Sequence, residues 1–147
     1  MKVVLACDHA GFLLKQELLQ YISGTTGHTV IDVGTFDEQP VDYPIIGQKA
    51  ARMVADGEAD RAVLVCGTGF GISLAANSVP GIRCVNCTES YTARLSRQHN
   101  DSNAIAFGAR VMGAEAAKYI TFIWLNTAFD GGRHALRINM LNQINND

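Results

Sequence analysis

The chain has 147 residues, 48% of them hydrophobic and 18% charged, with a formal net charge of -2. Those figures predict one globular domain spanning 1–147 with a full-sized core, and they exclude a disordered chain. The charge gives no electrostatic case for a nucleic-acid partner or an anionic membrane surface.

The N-terminal apolar run, Val3-Val4-Leu5-Ala6-Cys7, is broken by Asp8 and His9. It is too short for a signal peptide or a membrane span, so a cytoplasmic protein is expected. Residues 3–6 read as a short strand. Apolar positions Phe12, Leu14, Leu18, Leu19 and Ile22 then mark one face of a helix over 12–22. A second, β-branched strand over 29–33 stops at Gly34, and His28 before it is expected at the surface. A polar loop leads to Tyr43-Pro44 and a helix over about 45–55. Residues 62–65 form a third strand and 69–77 a third helix. A strand over 82–86, a helix over 91–98 and a strand over 104–107 follow. Helices over 114–125, and from Gly131-Gly132-Arg133-His134 to about 144, complete the chain. Trp124 and Phe122 suit a core or an interface better than a ligand contact.

Strand and helix alternate, and the strands are continuous apolar runs. This predicts a Rossmann-like three-layer α/β/α sandwich on a five-stranded parallel sheet, with a C-terminal helix added. Ligands bind such sheets at the carboxyl ends of the strands. Those ends are Cys7-Asp8-His9, the loop before Tyr43, the run Cys66-Gly67-Thr68-Gly69-Phe70-Gly71, and Gly108-Ala109-Arg110. If the first and third strands are neighbours, Asp8 and His9 face Cys66 and Thr68 across one crevice. Cys66 would then sit where a buried strand turns through glycines into a helix. Backbone N–H groups and the positive end of a helix dipole favour a thiolate and a developing oxyanion there.

His99-Asn100-Asp101 precedes the fifth strand and therefore lies at the opposite sheet edge. Four or five residues at about 3.3 Å each place it roughly 15 Å or more from Cys66 in one chain. Either His99 is unrelated to the crevice or it serves the site of a second subunit. Arg133 and Arg137 share a helix face, which suits a phosphate or a solvated basic surface.

Rival motifs fit less well. Glycines 67, 69 and 71 miss the G-x-G-x-x-G spacing of dinucleotide sites, although Glu89 lies at a suggestive distance, and no phosphate-binding G-x-x-x-x-G-K-[ST] loop occurs. Cys84-Val85-Asn86-Cys87 has C-x-x-C spacing. In a strand, however, residues three apart face opposite sides, and no second pair exists to complete a zinc site. A cysteine hydrolase with His9 as base leaves the paired arginines unexplained.

Cys7-Asp8-His9-Ala10-Gly11, Asp42-Tyr43-Pro44, Cys66-Gly67-Thr68-Gly69, Ser96-Arg97-Gln98-His99-Asn100-Asp101, Phe107-Gly108-Ala109-Arg110 and Gly131-Gly132-Arg133-His134 occur in this order along nearly the whole chain. Together they resemble the type B ribose-5-phosphate isomerases and the related galactose-6-phosphate isomerase subunits. The resemblance implies aldose–ketose isomerisation of a sugar phosphate with no metal or other cofactor. Ribose 5-phosphate is the expected substrate.

By the same resemblance, Cys66 moves the proton between C1 and C2. Thr68 and the amides of Gly67, Gly69, Phe70 and Gly71 hold the enediolate oxygen. His99, helped by Asn100, opens the furanose ring from a neighbouring subunit. Asp8 and Tyr43 bind sugar hydroxyls, and His9, Arg110, Arg133 and Arg137 surround the phosphate, some of them across a dimer. The implied assembly is a homodimer, or a dimer of dimers, with shared active sites.

One branch of the family has a carboxylate base, and this chain matches the Cys branch. Phe70 is bulkier than is frequent at its position. It either narrows the pocket or packs beneath the turn, and it leaves hexose 6-phosphates of the allose or galactose type and tetrose phosphates as alternative substrates. The alternative from another class is a non-catalytic sugar-phosphate binding module.

Overall fold

The computed structural model describes residues 1–144. Five parallel strands, β1 (Lys2–Cys7), β2 (Thr29–Asp32), β3 (Arg61–Cys66), β4 (Cys84–Asn86) and β5 (Ala104–Gly108), form one sheet in the order β2-β1-β3-β5-β4. The helices are α1 (Phe12–Thr25), α2 (Tyr43–Ala55), α3 (Phe70–Asn77), α4 (Ser90–Asn100), α5 (Ala114–Leu125) and α6 (Arg133–Ile144). The expected α/β/α sandwich with a C-terminal helix is therefore present, and β1 and β3 are neighbours. Among the described residues no helix is long and apolar enough to cross a membrane.

Alternation along the strands divides the core into two layers of different character. Val3, Leu5, Val63, Val65, Ile105 and Phe107 face α1, α4 and α5, where Leu18, Ile120 and Trp124 fill the space. Val4, Ala6, Ala62, Leu64, Ala104 and Ala106 face α2 and α3. Small residues let those two helices approach closely. A methyl group added at Gly47 of α2 would lie 3.1 Å from Ala75 of α3. Cys66 belongs to this small-residue layer, so α3 begins directly above its sulfur.

Three local expectations change. The strand expected over 82–86 is shorter, because the Arg83 amide donates to Asn103 Oδ1 at 2.8 Å rather than to the sheet. The helix expected from about 45 begins at Tyr43, with Asp42 as N-cap and Pro44 in the first turn, where proline's fixed φ and missing N–H are tolerated. His28 is not simply a surface residue. Its Nε2 is enclosed without a hydrogen-bond partner, and burial followed by the N-terminal charge lowers its pKa. The C-x-x-C cysteines do face opposite ways: Cys84 packs toward α2 and α3, and Cys87 packs in the other layer. Burial pushes the Cys84 thiol up to about 12.

The turn after β3 and the end of β5 meet with no room for a side chain. A Cβ at Gly108 would lie 2.6 Å from the Thr68 carbonyl carbon and oxygen. Gly108→Ala is expected to cost about 2–3 kcal/mol and to lower Tm by about 5–10 °C. Calorimetry checks this, and an unchanged Tm would show that the turn can move aside.

Candidate active site

Cys66 is the last residue of β3 and is 4% exposed. Gly69 follows in the left-handed region, with φ of 84°, and caps α3. That conformation folds the chain back so that the Gly69 N–H donates to Cys66 Sγ at 3.1 Å. The sulfur therefore lies at the N-terminus of α3, facing an amide donor. A side chain at Gly69 is excluded twice, by the positive φ and by Asn86, whose Nδ2 would lie 2.5 Å from a Cβ.

The amide cradle is narrower than the sequence implies. The Gly69 N–H is committed to the sulfur. The Phe70 N–H donates to Thr68 Oγ1 at 3.3 Å. Gly71 and Ile72 follow as first-turn amides without intrahelical partners. Because Thr68 Oγ1 accepts from Phe70, its own proton can point toward a ligand. Asn86 closes β4 and donates from Nδ2 to the Thr68 carbonyl at 3.2 Å. Asn86 marks the carboxyl end of a strand just as Cys66 does, and that position is the signal in the sequence that points to it.

Other residues converge on this edge. Asp8 is 7% exposed, and its Oδ1 accepts the Gly11 N–H at 3.1 Å, which shapes the turn after β1. The Asp8 amide reaches the Val65 carbonyl, joining that turn to β3. His9 Nδ1 accepts from the Val41 N–H at 3.2 Å, so the proton of the neutral ring is on Nε2. The Tyr43 ring lies against Gly71, where a Cβ would be 2.8 Å from the ring. The Arg110 guanidinium lies over Gly67, and its backbone N–H donates to the Gly67 carbonyl. Phe70 is 66% exposed, so it does not pack beneath the turn.

A second group collects around the end of α4. His99, Asn100, His134 and Arg137 line one cavity between the end of α4 and α6. The His99 and His134 rings stack at 4.4 Å with an interplanar angle of 10°. Asp101, at φ of 46°, ends α4 and is held by two cations. Arg97 Nη1 donates to its Oδ1 at 2.8 Å, and Arg83 Nη2 to its Oδ2 at 3.1 Å. Arg83 Nε also reaches the Asn100 carbonyl at 3.0 Å. Within one chain Arg133 and Arg137 neighbour His134, and Arg137 shares the cavity with His99. His99 and Asn100 also line a cavity with Asn86 and Cys87.

The model of the Ribose/Galactose Isomerase family matches residues 3–141. The chain belongs to that family. Ribose-5-phosphate isomerase B of Escherichia coli is 48% identical over 97% of this chain and 95% of its own. The galactose-6-phosphate isomerase subunit LacB of Clostridium acetobutylicum is 40% identical over 88% of this chain and 74% of its own. The solved Clostridium thermocellum ribose-5-phosphate isomerase B superposes with a TM-score of 0.97 at 48% identity, covering 99% of this chain and 98% of that one.

Partial desolvation lowers the His134 pKa from the ordinary 6.5, and the positive neighbours His99, Arg133 and Arg137 add to the shift. NMR titration of the ring protons is expected to place its midpoint below 6.5. His99→Ala should move that midpoint upward, because it removes both a covering ring and a positive neighbour. A midpoint indifferent to His99 would contradict the stacked arrangement.

Proposed function

We propose that this chain interconverts ribose 5-phosphate and ribulose 5-phosphate through an enediolate, at a site completed by a second copy. The observation that carries the chemistry is the Gly69 N–H directed at Cys66 Sγ at the start of α3. The chemistry needs a base that can take the C2 proton and return it to C1, and a donor for the oxygen that becomes negative. Cys66 is the base. Thr68 and the Gly71 amide receive the enediolate oxygen. Asp8 and Tyr43 hold sugar hydroxyls at the same edge, with Asn86 fixing the turn. The other thiols suit the role less. Cys7 is raised to about 12 by burial despite Lys15 nearby, and Cys87 is raised by burial as well.

Ribose 5-phosphate closes into a furanose, so a proton must reach the ring oxygen as the anomeric hydroxyl loses one. His99, assisted by Asn100, makes that exchange. Strand spacing puts His99 roughly 15 Å or more from Cys66 within a chain. A two-fold axis can place the α4 end of one copy over the β3 turn of the other. Arg133 and Arg137 then approach the same site from the second copy, where His9 and Arg110 complete the phosphate pocket. A phosphate held far from the reacting carbons supplies binding energy that can be realised in the transition state.

Cys66→Ala is expected to lower kcat by about 10²–10⁴-fold or more while sugar-phosphate binding persists. Incorporation of solvent deuterium at C1 or C2 checks it, and undiminished exchange would remove Cys66 as the base. Mixing Cys66→Ala with His99→Ala subunits should restore activity to about a quarter of the sites, since random pairing makes half the dimers mixed and each mixed dimer holds one intact site. No restoration despite demonstrated subunit exchange would place the whole site in one chain.

A further inference from the structure

Lys15 is fully buried in a helix whose other inward residues are Leu14, Leu18 and Ile22. Its ammonium is saturated. It donates to Asp32 Oδ1 at 2.9 Å, to Asp32 Oδ2 at 2.7 Å and to the Thr35 carbonyl at 2.7 Å. The rings of Phe12 and Phe36 flank it at 5.5 and 5.0 Å. None of these residues belongs to the site described above.

What Lys15 holds, however, leads into that site from two directions. Asp32 Oδ1 also accepts the Gly34 N–H at 3.0 Å. The Gly34 carbonyl accepts from the Cys7 N–H at 2.6 Å, and the Thr35 N–H donates to the Cys7 carbonyl at 2.7 Å. Cys7 runs directly into Asp8 and His9. Downstream of Thr35 the same loop delivers the Val41 N–H to His9 Nδ1 and then Tyr43 to the start of α3. The loop has no regular secondary structure between Asp32 and Tyr43. A buried ion pair is costly to desolvate, and an apolar side chain of similar size often fills such a place at least as well. An apolar side chain could not bind a carboxylate and a loop carbonyl at once.

We infer that Lys15 is a positioning residue, which through Asp32 and Thr35 sets the loop that places His9 and Tyr43 against the substrate. The inference rests on the isomerase reading for its kinetic consequence. It concerns ground-state binding, because the groups it places hold the phosphate and hydroxyls rather than the moving proton.

The test is the double variant Lys15→Met/Asp32→Asn. It removes both buried charges and keeps an oxygen for the Gly34 amide. Amide exchange at Thr35 and Val41 should quicken by about 10-fold or more as the loop loosens. KM for ribose 5-phosphate should rise about 10-fold while kcat changes by less than about 3-fold. A purely structural role would leave both constants unchanged once corrected for the folded fraction. Wild-type exchange rates, an unchanged KM in a folded variant, or a loss confined to kcat would each overturn the inference. If the native chain itself failed to turn over ribose 5-phosphate, the isomerase reading would fall, and the exchange rates would still decide whether Lys15 holds the loop. Should the double variant not fold, Phe36→Ala strips an exposed ring from the same ammonium. A KM about 3-fold higher with faster Thr35 exchange is expected there, and native values of both would overturn the inference.

Discussion

The contact between the Gly69 amide and the Cys66 sulfur is the constraint on which the rest of the site depends. It requires a residue with positive φ three positions after the thiol, which only glycine adopts without strain. It also requires that nothing protrude from the neighbouring strand, which Gly108 satisfies by bringing bare backbone against Thr68. Once the turn is made, the positions of the other groups follow. Thr68 lends its oxygen to the Phe70 amide, α3 starts above the sulfur, and Tyr43 can lie flat on Gly71 because that residue has no side chain.

The two core layers serve this turn differently. Alanines dominate the side facing α2 and α3, so both helices sit close to the sheet and Cys66 is enclosed by a thin, tightly fitted layer. Phe107, Ile105 and Trp124 fill the thicker opposite side. There Trp124 Nε1 donates to Ser102 Oγ at 2.8 Å, and Ser102 in turn pairs with Ser96, so the polar atoms of a buried tryptophan and two serines satisfy one another. This chain ties the last turn of α4 to α5. Arg97, 3% exposed, adds a bond to the Ser102 carbonyl. The helix end that presents His99 and Asn100 is therefore held by buried groups, although those two residues face the surface cavity.

The parallel sheet imposes the division of labour. Every strand points the same way, so strand ends and the helix ends that precede strands collect at opposite edges. The thiol, Asp8, His9 and Arg110 follow strand ends, whereas the stacked histidines and Arg137 lie between α4 and α6. The proposed mechanism joins the two groups through symmetry between copies rather than through a flexible segment.

Much of the architecture was legible in the sequence, because apolar runs at strand spacing and apolar faces at helix spacing are local signals. They placed Cys66 at a strand end and Tyr43 near a helix start. The errors were local as well: the Arg83 amide turned to a side chain 20 residues away, and no periodicity encodes that. Asn86 was readable by the strand-end rule and was passed over. Lys15 was also readable in part, since a lysine in register with Leu18 and Ile22 needs a buried acceptor. Local spacing was enough for the alternation of strands and helices, for the thiol at the glycine turn and for the resemblance to the family. Which amide meets the sulfur, which oxygens receive Lys15 and which side chain Arg83 meets emerge only once the chain is folded. Those outcomes depend on distances between segments far apart in the chain, and the packing of the sheet and its helices sets those distances.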